Sequence, residues 1–207
     1  KDSNYWRIKD LLSKTQNYHV NLKDKKKLDE VIKEIKPRTI FHLAAYGAYP
    51  KQKKIDEIKK VNFESTLNLL NSCKKNGFNK FINTGSSSEY GFKNKPMRER
   101  DFLLPNSYYG VFKSASTIFC QYEALFNELP IVTIRPFHVY GPYEESTRLV
   151  PTLICNLLKN ECPPLVSPKI VRDMIYVDDV VNFYVQVALN KKVSGEILNI
   201  GSGKQYS

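Results

Sequence analysis

The sequence predicts an α/β fold, because short apolar runs typical of buried strands alternate with longer amphipathic segments typical of helices. Strands are predicted at 39–45, 80–83 and 131–135, and the helices between them at 55–73 and 107–126. Small and polar side chains lie where these strands end. Since open α/β sheets bind ligands at the carboxyl ends of their parallel strands, we expect the functional site there.

The flanking segments continue the alternation. They are predicted as a helical segment at 5–12, a short strand at 18–22, helices at 24–35 and 148–158, a helix that begins at Asp178, and a strand at 196–200. Pro37 ends the helix at 24–35, and Asp178 is expected to act as an N-cap. The buried side of the helix at 24–35 is expected to consist of Leu28, Val31, Ile32 and Ile35.

Length and composition are those of a globular chain. With 207 residues, 42% of them hydrophobic, the chain is long enough for one domain with a substantial core, or for one domain and a small lobe. No apolar run approaches the roughly 18 residues of a membrane span, and no segment has the layout of a signal peptide. We therefore expect a soluble, cytoplasmic protein with no membrane partner.

The formal net charge of +11 raises the question of nucleic-acid binding. Lysines supply most of this charge, and they are spread over predicted helical surfaces such as 23–27 and 51–60, mostly with acidic residues nearby. Charge dispersed in this way is typical of solvated helix faces, so no nucleic-acid partner is expected.

Metal binding is not expected either. The four cysteines show no Cys-x-x-Cys spacing and no neighbouring histidines, and they are interpreted as buried or half-buried thiols. They are Cys73, Cys120, Cys155 and Cys162.

Tyr109 and Lys113 are four residues apart in the predicted helix at 107–126, and so they lie on one face. A phenol with its usual pKa of about 10 is a poor base near neutrality unless a positive charge and a hydrogen-bond donor stabilise the phenolate. Lys113 is placed to supply the charge. Taken alone, the pair is better explained as two solvated helix residues, and the surrounding motifs reverse that preference in favour of the functional interpretation.

Those motifs occur in one order along the chain: His42-Leu43-Ala44-Ala45, Asn62, Ser86 before Glu89-Tyr90-Gly91, Tyr109 with Lys113, Arg135-Pro136 before Val139-Tyr140-Gly141-Pro142, Arg172-Asp173 before Tyr176-Val177-Asp178-Asp179, and Asn199-Ile200-Gly201-Ser202-Gly203. In this order and spacing they resemble the extended short-chain dehydrogenase/reductases. Within that superfamily they resemble the NAD-dependent epimerase/dehydratase branch, which includes the UDP-glucose 4-epimerases and related nucleotide-sugar reductases. The resemblance covers nearly the whole chain.

The resemblance implies a Rossmann-like, doubly wound parallel sheet in residues 1–142 and a smaller substrate-binding lobe in 143–207. Residues 172–192 and 196–202 are expected to return to the first domain. In the family, two strands and a Gly-x-x-Gly-x-x-Gly turn precede the segment with which this chain opens, and the 207 residues contain neither. We therefore expect either a fragment or a protein that has lost this part.

The resemblance also implies a dinucleotide cofactor, with NAD favoured over NADP. Asn21 stands where the family usually has an aspartate against adenine, and an amide can both donate and accept a hydrogen bond. Ala44 and Ala45 would let the flat dinucleotide lie against the backbone, although ordinary core alanines are the other interpretation. The implied cofactor-binding residues are Asn21, Leu22, Ala44, Ala45, Lys113 and Pro136.

For catalysis the resemblance assigns proton transfer to Tyr109. Lys113 would lower the pKa of Tyr109 and hold the nicotinamide ribose, and Ser86 would donate a hydrogen bond to the same sugar oxygen. His42 and Asn62 are interpreted as structural, with Asn62 bonded to backbone.

The implied substrate is a nucleotide-diphosphate sugar. His138 replaces the asparagine usual in the family, and a structural pair with Asp173 is the other interpretation of Arg172. The candidate substrate-binding residues are Ser87, Ser88, His138, Arg148 and Arg172.

A 4-epimerase is the favoured activity. The 4,6-dehydratases carry Thr-Asp-Glu where this chain has Ser86-Ser87-Ser88, which makes elimination the less favoured chemistry. A one-way 4-keto-sugar reductase is the second candidate, and a non-catalytic Rossmann-like binding protein is a third. The resemblance also implies a homodimer, joined through a four-helix bundle to which each subunit contributes the helices at 55–73 and 107–126.

Overall fold

A four-stranded parallel sheet forms the centre of the computed structural model, which describes residues 5–49, 51–164 and 170–206. Its strands lie in the order β1-β2-β3-β6, and β4, β5 and β7 form a second, smaller sheet. The strands are β1 Thr39–His42, β2 Lys80–Thr84, β3 Ile131–Pro136, β4 His138–Tyr140, β5 Arg172–Tyr176, β6 Ile197–Ile200 and β7 Gln205–Tyr206.

Helices cover both faces of the main sheet. They are α1 Lys25–Ile35, α2 Ile55–Lys59, α3 Ser65–Asn76, α4 Tyr108–Phe126, α5 Leu149–Leu158 and α6 Val177–Leu189. A π-helical turn, Lys60–Glu64, joins α2 to α3, and short 3₁₀ turns occur at Tyr5–Arg7, Lys9–Lys14, Ser87–Tyr90 and Lys191–Val193. Among the described helices, none is long and apolar enough to cross a membrane.

Two hydrophobic clusters lie on opposite faces of this sheet. Adjacent strand residues point to opposite faces, so Phe81 joins the cluster under α1 and α3 whereas Ile82 joins the cluster under α6. The parallel register pairs Ile82 with Val132 and Ile134 with Leu198, which brings the carboxyl ends of the strands to one edge. The α/β, Rossmann-like fold class is confirmed. The described strands of the main sheet are all parallel, and they follow one another across the sheet in sequence order.

The C-terminal third divides between the two sheets. α6 packs on the main sheet through Val180, Tyr184 and Val187, and β6 is one of its strands. In contrast, α5 contains no buried residue. The domain boundary at residue 142 remains a prediction.

Residues 18–22 do not form the predicted strand. A strand needs a ladder of backbone hydrogen bonds, and within the described ranges β1 pairs with β2 alone. Val20 and Leu22 nevertheless pack against the cluster under α1 and α3.

Two predictions of burial were wrong in part. Ile35 is 43% exposed because it is the last residue of α1, beyond the Leu28 and Ile32 contacts. The strand predicted at 39–45 ends at His42, where its pairing with β2 ends. Phe41 and Leu43 are exposed, and the ring described beside Phe41 is that of Tyr184, at 6.4 Å between centroids.

The N-cap predicted at Asp178 is also wrong. α6 begins at Val177 with Tyr176 as its N-cap, so Asp178 lies within the first turn. Its carboxylate still favours the positive end of the helix dipole.

Two of the four cysteines are buried and two are exposed, and all four are free thiols. Cys73 and Cys120 are buried in the cluster under α1 and α3, as predicted. For Cys155 and Cys162 the prediction is wrong: both are exposed, because Cys155 lies on α5, which contains no buried residue, and Cys162 follows that helix. Within the described ranges, no group of His, Cys, Asp and Glu side chains is placed to hold a metal ion.

Candidate active site

The serine-rich turn after β2 forms one wall of the site. Ser86 caps the 3₁₀ turn Ser87–Tyr90, its Oγ accepting the backbone N–H of Ser88 at 3.1 Å. In return, Oε1 of Glu89 accepts the N–H of Ser86 at 2.8 Å. This reciprocal capping box fixes the orientation of the Ser86 hydroxyl.

A buried ion pair supports the turn from below. Oε2 of Glu89 accepts a hydrogen bond from Nε of Arg135 at 2.8 Å, and Oε1 accepts one from Thr117 at 2.9 Å. Burial raises the pKa of Glu89, and the Arg135 charge and these hydrogen bonds oppose that rise. Arg135 also donates to the Tyr90 hydroxyl at 2.8 Å, so β3, the turn and α4 meet in one network.

Helix α4 approaches this turn unusually closely at Gly110. A Cβ atom there would lie 2.5 Å from the carbonyl oxygen of Ser88, which real Cβ atoms do not tolerate. Ser107 caps α4 by accepting the N–H of Gly110 at 3.1 Å. Glycine at this position therefore lets Tyr109 lie beside the serine turn.

The structure brings Tyr109, Ser86 and Lys113 together. The Ser86 side chain lies close enough to Tyr109 to lower the pKa of the phenol, and Nζ of Lys113 lies 6.0 Å from the centre of the Tyr109 ring. Nζ donates to the carbonyl oxygen of Thr84, the last residue of β2, at 2.8 Å. The three side chains therefore converge at the carboxyl end of a strand, where the sequence predicted the site.

The pKa of Tyr109 is shifted opposite to the sequence prediction. Burial raises it above its usual value, and the Glu89 charge adds to that rise. The hydrogen bond from Ser86 and the positive charge of Arg148 lower it, by less. The prediction considered a stabilising charge and left out the cost of burying a phenolate.

Lys113 is 3% exposed, and burial lowers its pKa to about 8, against the opposing effect of Glu89. The ammonium group has three N–H donors. Within the described part of the chain, one of them is bound to Thr84, which leaves two for a ligand.

His42 and Asn62 are structural, as the sequence predicted. Thr66 donates its hydroxyl proton to the Asn62 carbonyl at 3.0 Å, so Nε2 of His42, 2.9 Å from that hydroxyl, carries a proton and donates. Burial, followed by the Lys113 charge, lowers the pKa of His42 to about 4. His42 is therefore a neutral imidazole.

Asn62 lies in the π-helical turn and holds the loop that follows β1. Its amide donates to the carbonyl oxygens of Tyr46 at 2.6 Å and Ile58 at 2.9 Å, and its Oδ1 accepts the Tyr46 N–H at 3.1 Å. The loop then passes Tyr109, where it borders an open cleft of about 550 Å³. That cleft is lined by Gly47, Lys53, Ile58, Val111 and 106–109.

Two arginines, Arg148 and Arg172, lie near His138. Burial, followed by the charges of Arg172 and Arg148, lowers the pKa of His138 to about 4. Cζ of Arg148 lies 5.5 Å above the Tyr49 ring. His138, Arg148 and Arg172 are therefore close enough to interact, and two permanent positive charges flank a neutral imidazole.

The Arg172–Asp173 pair, which was the other interpretation of Arg172, is absent from the described contacts. Arg172 donates to the Val171 carbonyl at 3.0 Å. Asp173 instead accepts from the backbone of Ser202 at 2.7 Å and Gly203 at 2.9 Å, which fixes the turn after β6.

Among the predicted cofactor-binding residues, Ala44, Ala45 and Pro136 lie at the carboxyl ends of strands. Ala44 and Ala45 follow β1, Pro136 ends β3, and Leu22 is partly buried. Oδ1 of Asn21 accepts the N–H of Lys23 at 3.1 Å, closing a local turn.

The roles of Glu89, Arg135 and Tyr49 were not predicted from the sequence. The spacing Ser86-x-x-Glu89 is a capping-box signature and could have identified Glu89. Nothing local identifies Tyr49, whose contact with Arg148 joins residues about a hundred positions apart.

A parallel sheet with helices on both faces, and with Ser86, Tyr109 and Lys113 near the carboxyl end of one strand, is a Rossmann-like α/β fold. The chain belongs to the NAD dependent epimerase/dehydratase family, whose model matches residues 1–201.

Three relatives illustrate the range of this family. The chain is 26% identical to a dTDP-D-glucose 4,6-dehydratase of Dictyostelium discoideum, over 92% of this chain and 47% of the relative. It is 27% identical to a dTDP-4-dehydro-6-deoxyglucose reductase of Escherichia coli, over 88% and 59%. The structure of a UDP-glucuronic acid 4-epimerase from Bacillus cereus, in complex with UDP-glucuronic acid and NAD, superposes with a TM-score of 0.85 at 28% identity, covering 98% and 66% of the two chains.

The chain thus spans about half the length of these two curated relatives. Relatives of similar identity carry out three different reactions on nucleotide sugars.

Proposed function

We propose that the intact protein is an NAD-dependent enzyme of nucleotide-sugar metabolism, and that it is a 4-epimerase acting through a 4-keto sugar. The observation that carries this proposal is the convergence of Ser86, Tyr109 and Lys113 at the carboxyl end of β2. The geometry suits proton transfer at a sugar hydroxyl.

The residues present fit a dinucleotide. Lys113 keeps two donors for a ribose, and the small side chains Ala44 and Ala45 leave room beside the strand edge. When bound, the nicotinamide supplies reversible hydride acceptance, which side chains alone cannot provide. Asn21, Leu22 and Pro136 are proposed to complete the contact.

Tyr109 is proposed to exchange a proton with the C4 oxygen of the sugar. Ser86 is held by its capping box, so its hydroxyl can donate to Tyr109 or to the same sugar oxygen. Lys113 places a positive charge near the phenol and so favours phenolate as the proton leaves.

The diphosphate of the substrate is proposed to bind between Arg148 and Arg172, because planar guanidinium groups suit phosphate oxygens. Neutral His138 lies near both arginines and can donate or accept at the same ligand. Ser87 and Ser88 face the sugar side of the turn in this proposal.

Elimination is a poor fit to this turn. Ser87 and Ser88 carry no carboxyl group, and the acid of the turn, Glu89, is fully buried in its ion pair with Arg135. A carboxylate held in that way cannot abstract a proton from a sugar carbon without breaking the pair.

One observation favours the second candidate, a 4-keto-sugar reductase. Because burial raises the pKa of Tyr109, the residue is a neutral phenol near pH 7 and is ready to donate a proton. A reductase requires that donation in its forward direction, and an epimerase requires it in its second half-reaction.

The test is to incubate the intact protein with UDP- and dTDP-hexoses and with their 4-keto derivatives, with and without added NADH. A 4-epimerase interconverts the hexoses without net change in NADH absorbance. A reductase consumes one NADH per keto sugar. Absence of both reactions with every substrate would contradict the proposal and favour a non-catalytic binding protein.

We also propose a homodimer. The helix α4 presents an apolar stripe to solvent, and one stripe of this kind in each of two copies would bury the other. The stripe consists of Val111, Ile118, Tyr122 and Leu125, each at least 43% exposed.

A further inference from the structure

The loop between β4 and α5 has an unfavourable backbone conformation. Tyr143 has φ of +67°, a left-handed value that residues other than glycine seldom adopt. Two residues earlier, Gly141 has φ of +151°, and a Cβ atom there would lie 2.5 Å from Val177. Such conformations persist where surrounding contacts determine them.

The contacts on this loop come from the beginning of the chain. Nε of Arg7 donates to the carbonyl oxygen of Tyr143 at 2.8 Å, and Nη2 of Arg7 donates to Glu145 at 3.3 Å. The Trp6 ring packs against the Tyr143 ring, with centroids 5.7 Å apart. Arg7 itself lies over Trp6, its Cζ 4.5 Å from the ring centroid.

The same loop ends at Arg148. The N–H of Arg148 donates to the Glu145 carbonyl at 2.9 Å, so the residue that Arg7 pairs with also fixes the backbone of Arg148. Nε of Arg148 donates to Glu144 at 3.4 Å, and the guanidinium lies over the Tyr49 ring. Arg148 therefore reaches the site from a loop held at Tyr143 and Glu145.

We propose that Trp6 and Arg7 are positioning residues, which hold loop 141–148 in its left-handed conformation and thereby place the Arg148 guanidinium beside Tyr109 and His138. The contacts join residues about 136 positions apart, so no local sequence pattern reveals them. What Arg148 binds rests on the proposed function, whereas the loop contacts do not.

The Arg7–Glu145 ion pair alone would not be enough to hold the loop. The Arg7–Glu145 pair is about half exposed, and isolated pairs of that kind contribute little. Here the same guanidinium also bonds the carbonyl of the residue with positive φ, and a tryptophan covers that residue's ring. The three contacts act on one short loop.

The test compares Arg7→Ala with Lys9→Ala in the intact protein. Both remove one positive side chain from the same N-terminal segment, and Lys9 makes no contact with the loop in the described part of the chain. Backbone hydrogen exchange of peptides covering 141–148 is measured without ligand. Binding of UDP and dTDP, the probes for the Arg148 site, is measured by calorimetry.

We expect Arg7→Ala to speed exchange across 141–148 and to weaken binding of the nucleotide on the order of fivefold, with Lys9→Ala unchanged in both. Equal exchange in Arg7→Ala and wild type would overturn the inference. So would faster exchange with unchanged nucleotide affinity, since Arg148 would then not depend on the loop contacts.

A wild-type protein that binds neither nucleotide would instead count against the proposed function. The exchange measurement needs no ligand and would still support or overturn the contact between the N-terminal segment and the loop. The two failures are therefore distinguishable. A second variant, Trp6→Leu, removes the ring contact, leaves Arg7 in place, and is expected to speed exchange in the same peptides.

Discussion

Burial disfavours the charged form of both Tyr109 and Lys113. The pKa of the phenol is raised and that of the ammonium is lowered to about 8. Near pH 7 the pair therefore consists of a neutral phenol and a cation close to its titration point. This is a suitable starting state for proton transfer, because the phenol holds a proton that it can donate. The protonation of Lys113 responds to small changes in charge at the site.

The depressed pKa of Lys113 predicts a pH-dependent stability. Unfolded lysine has its usual pKa of 10.5, so between about pH 8 and 10.5 the unfolded state binds more protons than the folded state. The contribution of Lys113 to the unfolding free energy therefore rises with pH in that window and does not change with pH below it.

Urea unfolding of wild type and Lys113→Met measures this effect. We expect the unfolding free energy of the wild type, relative to that of Lys113→Met, to rise by on the order of 3 kcal/mol between pH 8 and 10.5. The exposed-site variant Lys9→Met should show no such shift. A difference that is independent of pH would mean that Lys113 is not charged and buried as described.

Arg172→Ala tests the diphosphate contact. We expect KM for the nucleotide sugar to rise by roughly 10- to 150-fold, from loss of a charge-assisted hydrogen bond worth roughly 1.5–3 kcal/mol, with kcat nearly unchanged. Steady-state kinetics measures the two constants. A fall in kcat at unchanged KM would assign Arg172 to the chemistry instead of to binding.

Among individual residues, local spacing predicted the proximity of Tyr109 and Lys113, since both lie on one turn of one helix. It did not predict the sign of the Tyr109 pKa shift. That sign depends on how deeply the fold buries the phenol and on Glu89 and Arg148, neither of them in the same helix.

At the scale of elements, the site depends on the contact between α4 and the serine turn. Glu89 belongs to the turn, Thr117 to α4 and Arg135 to β3, so one buried carboxylate connects three elements. The ion pair is almost completely buried, with side-chain exposures of 2% and 0%. Removing one partner would leave the other charge uncompensated.

Glu89→Gln is therefore expected to lower the unfolding free energy by roughly 3–5 kcal/mol. The matched control is Glu64→Gln, because Glu64 pairs with Lys59 in an exposed ion pair expected to contribute no more than about 1 kcal/mol. Chemical denaturation of both variants measures the contrast. Similar losses of unfolding free energy in the two variants would show that the Glu89 hydrogen bonds and ion pair do not stabilise the turn.

Helices were predicted from the sequence more accurately than strands. α1, α4 and α5 follow from apolar periodicity and caps that are contained within each segment. The segment at 18–22 has the composition of a strand, yet pairing is a non-local property and no described strand pairs with it. The π turn that contains Asn62 was not predicted either. Asn62 bonds to the backbone of Tyr46, which lies outside the helix, and the helical pattern of the sequence does not reveal such a contact.

At the scale of the whole molecule, exposed apolar surface on α4 is the feature that concerns assembly. Ile118→Glu places a charge in the centre of the stripe and is expected to shift the intact protein from dimer toward monomer. Leu189→Glu is the control, since Leu189 is exposed on a different helix. Light scattering after size exclusion gives the mass. A wild-type monomer, or an Ile118→Glu dimer as stable as the control, would contradict the proposed interface.

The parallel sheet explains why residues far apart in sequence form one site. Ser86, Pro136 and the residues after His42 all follow strands that end at the same edge. The alternation of strands and helices in the sequence predicted a site at that edge, and the register of the sheet accounts for it. The position of Arg148 depends in addition on contacts from the opposite end of the chain.

The central claim is that Tyr109 transfers the proton, and the most direct measurement is the turnover of Tyr109→Phe beside Tyr108→Phe in the intact protein. The two substitutions remove the same hydroxyl from adjacent residues, and Tyr108 is 57% exposed. We expect Tyr109→Phe to lower kcat by about a hundredfold or more while nucleotide-sugar affinity stays nearly constant, and Tyr108→Phe to leave both unchanged. A Tyr109→Phe protein with wild-type kcat on its own substrate would contradict the account.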